Sequence, residues 1–436
     1  MKAVLTAFTA PQLERMNVAE ILSAVLGRDF PIRFTAYDGS ALGPETARYG
    51  LHLTTPRGLT YLATAPGDLG LARAYVSGDL EVSGVHQGDP YEIMKILAHD
   101  VRVRRPSPAT IASIMRSLGW ERLRPVAPPP QENMPRWRRM ALGLLHSKSR
   151  DAAAIHHHYD VSNEFYEHIL GPSMTYTCAA YPSADSSLEE AQDNKYRLVF
   201  EKLGLKAGDR LLDVGCGWGG MVRFAAKRGV HVIGATLSRK QAEWAQKMIA
   251  HEGLGDLAEV RFCDYRDVTE AGFDAVSSIG LTEHIGLANY PSYFGFLKDK
   301  LRPGGRLLNH CITRPNNLQS NRAGDFIDRY VFPDGELAGP GFIISAVHDA
   351  GFEVRHEENL REHYALTLRD WNRNLARDWD ACVHASDEGT ARVWGLYISG
   401  SRVAFETNSI QLHQVLAVKT ARNGEAQVPL GQWWTR

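Results

Sequence analysis

The sequence predicts an α/β fold: a doubly wound, mostly parallel sheet with a helical lid, preceded by a smaller α+β domain. Three observations predict it. Leu211-Leu212-Asp213-Val214 reads as a buried strand running into the glycine turn Gly215-Cys216-Gly217-Trp218-Gly219-Gly220, and Met221 to Lys227 then reads as a helix. Beyond that point apolar strand-like runs alternate with helical ones, the pattern of a parallel sheet with crossover helices. The chain has 436 residues, more than one ordinary core accommodates, so a second domain is expected outside the alternating part.

Composition bounds the class. Hydrophobic residues make up 44% and charged residues 23%, as in an ordinary water-soluble protein. A net charge of −1 argues against a wholly basic nucleic-acid binder. The five cysteines share no CxxC spacing, which points to reduced thiols in a cytoplasmic setting and away from a zinc or other metal site. No apolar run has the length of a membrane span, and the N-terminus lacks the layout of a signal peptide.

The first domain is expected over residues 1–122. Residues 14–26 carry apolar positions at helical spacing, with Gly27 placed to end the helix. Residues 32–37 and 57–62 read as strands, 69–76 as a helix, 77–82 as a turn and strand, and 91–99 as another helix. No catalytic constellation stands out. A homodimerisation module and a lipid-associated one both fit.

Residues 123–150 read as a linker stiffened by Pro128-Pro129-Pro130. Over 101–150, eleven basic residues face two acidic ones, leaving a local charge of +9. Trp120, Met134, Trp137, Met140, Leu142, Leu144 and Leu145 are interleaved with them. Cations among large apolar side chains suit an anionic bilayer surface, at about 1 kcal/mol per cation near the headgroups. Nucleic acid competes as a partner, but no nucleic-acid motif accompanies the charge. A solvated linker is the plain alternative.

The second domain is expected over 151–436. His156-His157-His158 cannot all face one metal from a helix. Residues 174–181 read as a loop able to close over a ligand. Residues 187–203 read as a helix capped by Ser186 or Ser187 with Glu189 or Glu190 in reciprocal reach. Further strands are expected at 230–236, 259–263, 273–279 and 304–310, and helices at 366–379 and 390–408. Residues 325–333 read as an inserted aromatic lid. In such a sheet the ligand lies at the C-terminal ends of the strands. Thr282, Glu283 and His284 follow the fourth strand and His310 ends the fifth, so they are expected in one cleft.

A bare G-x-G-x-G fits dinucleotide folds as well as methyltransferases. Here the third glycine comes two residues after the second, not three, so the pyrophosphate spacing is missing. The second strand ends in Thr236-Leu237-Ser238 rather than an acidic residue. Asp213, before the first glycine, is placed to accept hydrogen bonds from a cationic or hydroxyl-rich ligand. These details favour a class I methyltransferase sheet over a dinucleotide site.

The segments Tyr176-Thr177-Cys178, 212–220, Thr236-Leu237-Ser238, Glu283-His284-Ile285-Gly286, Leu301-Arg302-Pro303-Gly304-Gly305 and His363-Tyr364-Ala365-Leu366-Thr367-Leu368 resemble those of the cyclopropane fatty acid synthases. The resemblance runs from about His156 to Lys419; the N-terminal third is more loosely similar to the extra domain of the long bacterial members. It implies S-adenosylmethionine as methyl donor and the cis double bond of a phospholipid acyl chain, of oleoyl type, as acceptor. It implies cofactor contacts from Tyr176, Thr177, Asp213, Gly215, Gly217, Gly219, Thr236, Leu237, Ser238, Gln241, Asp264, Tyr265 and Arg266. Cys178, Glu283, His310, Ile312 and Tyr364 match positions that surround a bicarbonate ion in the family. Peripheral association with the inner face of the membrane is expected from the basic, apolar stretch 101–150.

An alkene is a poor nucleophile, so such an enzyme needs a dry cleft, an aligned methyl group and a way to survive a carbocation. Tyr176, Tyr265, Phe326 and Tyr330 are candidate aromatic faces for that cation. The chain departs from the family in having Leu281-Thr282 where Met-Phe is usual, and Ser401 where several members carry a cysteine. Gly280-Leu281-Thr282-Glu283-His284 is more similar to the actinobacterial branch making 10-methylene octadecanoate, the precursor of tuberculostearic acid. A reductase acting on the methylene product is then an expected partner. Cyclopropane formation, methylation of a small nucleophile and a catalytically silent lipid-binding protein are the alternatives.

Overall fold

The computed structural model describes residues 15–133, 162–318, 322 and 324–435. The chain divides after Pro130 into two compact units. The histidine run 156–158 and most of the expected linker, from 134 on, lie outside the described residues.

In the first unit, helix Val18–Leu26 begins at Asn17, which forms a reciprocal capping box with Glu20, and Gly27 ends it at φ 92°. Its start is four residues later than the apolar spacing suggests. A four-stranded sheet follows in the order β2-β1-β3-β4, with β1 Arg33–Ala36, β2 Ala41–Leu42, β3 Gly50–Leu53 and β4 Leu80–Ser83. The expected strand at 57–62 is instead helix Pro56–Thr64. Thr55 caps it through Gly58 N–H, and Pro56 at the first turn presets φ, so the cap overrides the β-like composition. Asp79 anchors this corner, accepting from Thr55, Arg57 and Ser77. Helices Asp68–Val76 and Tyr91–His99 complete the core. Tyr61 OH donates to Ala127 O at 2.7 Å, tying the start of the expected linker to this unit.

Helix Pro108–Arg122, interrupted at Gly119 (φ 67°), closes the first unit. Ile111, Met115 and Trp120 stand exposed on it, and Val103 just before it, Trp120 at 70%.

The second unit is built on a seven-stranded sheet in the order β10-β11-β9-β8-β5-β6-β7. Its strands are β5 Arg210–Val214, β6 His231–Thr236, β7 Ala258–Phe262, β8 Phe273–Ile279, β9 Leu301–Thr313, β10 Glu353–Asn359 and β11 Gln411–Val418. β11 runs opposite to the other six strands, so its pairings with β10 and β9 are antiparallel and the rest are parallel. The edge strand β10 and its neighbour β11 are not predicted from the sequence: β10 is charged and only half-buried. From β5 the chain winds through β6 and β7 to one side, then returns so that β8 lands on the other side of β5. That reversal opens a crevice beyond the C-terminal ends of β5 and β8.

Both faces of the sheet are covered. One carries Leu212, Val276, Leu307 and Cys311 against helices Tyr290–Lys300 and Pro340–Asp349. The other carries Leu211, Ala275 and Leu308 against helices Leu188–Leu203 and Gly220–Ala226. Ser187 caps the first of these with Glu190 in a capping box. Helices Arg361–Arg377 and Glu388–Glu406 pack together beside this layer.

Candidate functional site

Two clefts meet at the glycine turn after β5. One, with about 690 Å³ of space up to its open mouth, is lined by Gly215, Gly217, Thr236, Leu237, Gln241, Asp264, Tyr265, Arg266 and His284, among others. The other, of about 540 Å³, is lined by Tyr176, Thr177, Lys195, Asp213, Gly215, Gly217, Trp218, Gln241 and others. Gly215, Gly217, Gln241 and Gly280 are common to both, so the clefts form one trough bent over the turn. Gly215 takes φ 72°, and a Cβ there would meet Leu281 at 3.1 Å, so side chains are excluded where a ligand must approach.

Eleven of the thirteen residues expected to hold a cofactor line this trough. The other two serve its walls. Gly219 packs against Ala245, which a Cβ would approach to 3.1 Å. Ser238 caps helix Arg239–His251 through Gln241 N–H. Arg266 grips Asp264 with two hydrogen bonds, from Nε at 2.7 Å and Nη2 at 2.6 Å. Tyr265 packs edge-on against Tyr293 and Phe296.

The second cleft holds opposite charges on a buried floor. Asp213 Oδ1 accepts from Ser277 Oγ at 2.6 Å, and burial pushes its carboxyl up to about 7. Lys195 Nζ donates to Thr177 Oγ1 at 2.8 Å, and burial pushes its ammonium down to about 7. Lys195 and Lys202 share the buried stripe of helix Leu188–Leu203 with Leu188, Ala191 and Val199. Neither lysine stands out in the sequence, although their seven-residue spacing puts them on that stripe.

Beyond β8, the turn Thr282–His284 places Glu283 against β9. Glu283 Oε1 accepts from Ile312 N–H at 2.7 Å, while Oε2 is buried with no hydrogen-bond partner. Burial raises the Glu283 carboxyl to about 7, with the Ile312 N–H opposing the shift. His310, two residues before Ile312, shares its face of the strand. Its Nδ1 meets Gln414 Nε2 at 3.2 Å, and its Nε2 is buried without a partner. Burial holds the imidazole well below its ordinary pKa, and the charges of Lys195 and Lys202 push the same way. Thr282 Oγ1 donates to Asn309 Oδ1 at 2.5 Å, on the opposite face of β9 from His310.

Cys178 sits fully buried in the segment leading out of the trough, and burial raises its thiol. The next residue, Ala179, donates its N–H to Thr367 Oγ1 on helix Arg361–Arg377 at 3.0 Å. Tyr364, buried on the same helix, contacts the rings of Trp371 and Phe405.

An aromatic box, assembled from distant stretches, joins these parts. Tyr176 packs against Tyr166, Phe332, Trp371 and Trp394 with ring centroids 5.4 to 6.4 Å apart. Its hydroxyl donates to Tyr397 OH at 3.0 Å, and the charge of Glu283 acts on that phenol. Of the four expected aromatic faces, Tyr176 is placed in this box by these contacts. Phe326 stacks on Tyr330, whose hydroxyl donates to Glu132 at 3.2 Å. Glu336 N–H donates to Glu283 O at 3.1 Å, and Glu336 Oε2 accepts from Leu287 N–H, strapping the segment after the lid helix to the Glu283 turn.

Among the described residues no group of three or more His, Cys, Asp or Glu is arranged to hold a metal ion. No helix among them is long and apolar enough to cross a membrane.

Residues 146–415 match the family model of mycolic acid cyclopropane synthetase. The chain is 65% identical over 421 residues to a probable fatty acid methyltransferase of Mycobacterium tuberculosis, covering 96% of this chain and 99% of that one. It is 30% identical over 396 residues to the tuberculostearic acid methyltransferase UfaA1 of the same organism, covering 88% and 87%. The crystal structure of the mycolic acid cyclopropane synthase CmaA1 with SAH and CTAB matches with a TM-score of 0.58 at 31% identity, over 61% of this chain and 97% of that one.

Proposed function

Given that the chain belongs to the mycolic acid cyclopropane synthetase family and is an S-adenosylmethionine-dependent methyltransferase, we propose that it methylates the cis double bond of an unsaturated phospholipid acyl chain. The product of this reading is the 10-methylene chain; ring closure to a cyclopropane on the same substrate is the second reading. The observation that carries it is the aromatic box around Tyr176, which lines the trough and whose partner Tyr397 feels the charge of buried Glu283.

The chemistry follows from that layout. The π electrons of the alkene bond to the sulfonium methyl, and the S–C pair stays on sulfur, which leaves as a thioether. Positive charge then develops on the adjacent acyl carbon, where the faces of Tyr176, Trp371 and Trp394 stabilise it at about 0.5–2 kcal/mol each. Hydride migration to that carbon, then loss of a proton from the transferred carbon, gives the methylene; proton loss without migration closes the ring. The proton needs an acceptor in a dry site.

Glu283 Oε2 and His310 Nε2, both buried and without partners, fit a small oxyanion such as bicarbonate, which would supply that base when bound. Ile312 N–H is engaged by Glu283, so in this arrangement it orients the carboxylate. Cys178 and Tyr364 belong to the wall formed by the 176–181 segment and helix Arg361–Arg377. The hydroxyl of Thr282 is committed to the far face of β9, so its influence on methylene against ring is indirect, through the Glu283 turn. UfaA1 is the relative whose name favours the methylene product.

For access to the lipid, the first unit offers Val103, Ile111, Met115 and Trp120 exposed beside Arg102, Arg104, Arg105, Arg116 and Arg124. We read this as the membrane-facing surface, with the acyl chain drawn from an anionic bilayer. A methylene product would pass to a reductase. Homodimerisation through the first unit completes the reading.

The experiment is incubation with S-adenosylmethionine and oleoyl-phospholipid vesicles, with NMR of the isolated fatty acid. Exocyclic methylene signals are expected. Cyclopropane signals would select the second reading, and an unmodified chain despite cofactor binding would overturn both.

A further inference from the structure

We infer that Lys202 and Gln414 are positioning residues that fix the tautomer of His310, so that its Nε2 carries the proton and faces the site as a hydrogen-bond donor.

The antiparallel register of β9 and β11 sets Gln414 directly opposite His310. One end of the Gln414 amide meets His310 Nδ1 at 3.2 Å; the other meets Lys202 Nζ at 2.7 Å. Lys202 is fully buried and also ion-paired with Glu358. The two ends of an amide are told apart by their partners. An ammonium has three donors and no acceptor, so the oxygen of Gln414 must face Lys202. Its NH₂ must then face His310, and an NH₂ only donates. Nδ1 is therefore an acceptor and carries no proton. An imidazolium would need a proton there as well, and two buried lysines on the adjoining helix oppose the extra charge. One proton remains, and it sits on Nε2.

That atom is the one left buried without a partner. His310 therefore presents a donor and Glu283 Oε2 an acceptor. Resting on the reading above, this makes His310 the group that holds the oxyanion and excludes it as the base that takes the substrate proton. The tautomer itself does not depend on that reading.

The test is ¹⁵N NMR of the full-length protein labelled in histidine, with the His310 ring signals identified by their loss in His310→Asn. The expected pattern is a protonated Nε2 and a bare Nδ1, unchanged between pH 6 and 8. Gln414→Glu offers carboxylate oxygen at both ends, so a proton should appear on Nδ1. The same variant should lower kcat at least ten-fold and leave the S-adenosylmethionine Kd within two-fold. A merely structural Gln414 would lower stability without moving the ring proton. A wild-type ring protonated on Nδ1, or Gln414→Glu leaving Nδ1 bare, overturns the inference; the wild-type spectrum decides even if the variant does not fold. A wild-type enzyme that methylates no lipid counts against the functional reading alone, because the tautomer is read without substrate.

Discussion

Lys195 and Asp213 face the same cleft from helix Leu188–Leu203 and from β5, each buried, with no ion pair joining them. Both groups titrate at about 7, the carboxyl raised by burial and the ammonium lowered by it. A ligand ending in an ammonium and a carboxylate, such as the methionine end of the cofactor, complements the two charged forms.

Cofactor binding should therefore exchange protons, with a sign that turns over near neutrality. Below pH 7 Asp213 gives up a proton on binding; above pH 7 Lys195 takes one up. Calorimetry in buffers of different ionisation enthalpy should show net release at pH 6 and net uptake at pH 8. A buffer-independent enthalpy at both would remove the two residues from the cofactor site.

Glu283→Gln should separate binding from chemistry. The variant keeps the size of the side chain but loses the anionic oxygen next to the proposed oxyanion. Turnover should fall by about 10²–10⁴-fold, with the cofactor Kd within two-fold, because Glu283 lines neither half of the trough. In the wild type, kcat should rise through a pKa of about 7 as Glu283 ionises.

The same burial predicts a stability profile. The folded-state pKa values of Asp213 and Glu283 lie above their ordinary 3.8 and 4.5. The folded protein therefore holds more protons than the unfolded chain, and stability should decline as pH rises from about 4 to 7. Lys195 has the opposite shift, so its cost appears as pH falls from 10.5 through about 7. Asp213→Asn should flatten the acid-side decline by about 2–4 kcal/mol, read from urea midpoints across pH. An unchanged slope would mean that Asp213 ionises freely in the fold.

The exposed helix of the first unit should govern vesicle association. Arg116→Glu with Arg124→Glu should weaken binding to anionic vesicles by about 4 kcal/mol, two cations being replaced by two anions at ~1 kcal/mol per charge. Binding to zwitterionic vesicles should hardly change, and methylation of a detergent-dispersed oleoyl lipid should persist. Equal binding of variant and wild type to anionic vesicles in a co-sedimentation assay would refute this surface.

The strand, glycine turn and helix at 211–227 were legible because local composition and tertiary role agree there. Ser187 and Glu190 likewise announce their helix. At 57–62 the aromatic and β-branched residues suggest a strand, while Thr55 and Pro56 supply the stronger helix signal. The box around Tyr176 was not legible as a box: its rings come from positions between 166 and 397. The supports of His310 were hidden for the same reason. Gln414 lies 104 residues away in sequence, and only the register of β11 brings it alongside.

That register also orders events during synthesis. Of the strands in this sheet β11 comes last along the chain, yet it takes an interior place between β9 and β10. Until it arrives, neither of those earlier strands can complete its pairing, and the nascent sheet presents two unsealed edges of the kind that invite aggregation. A chain that has not yet added β11 can form the trough around β5 and still have no Gln414 opposite His310.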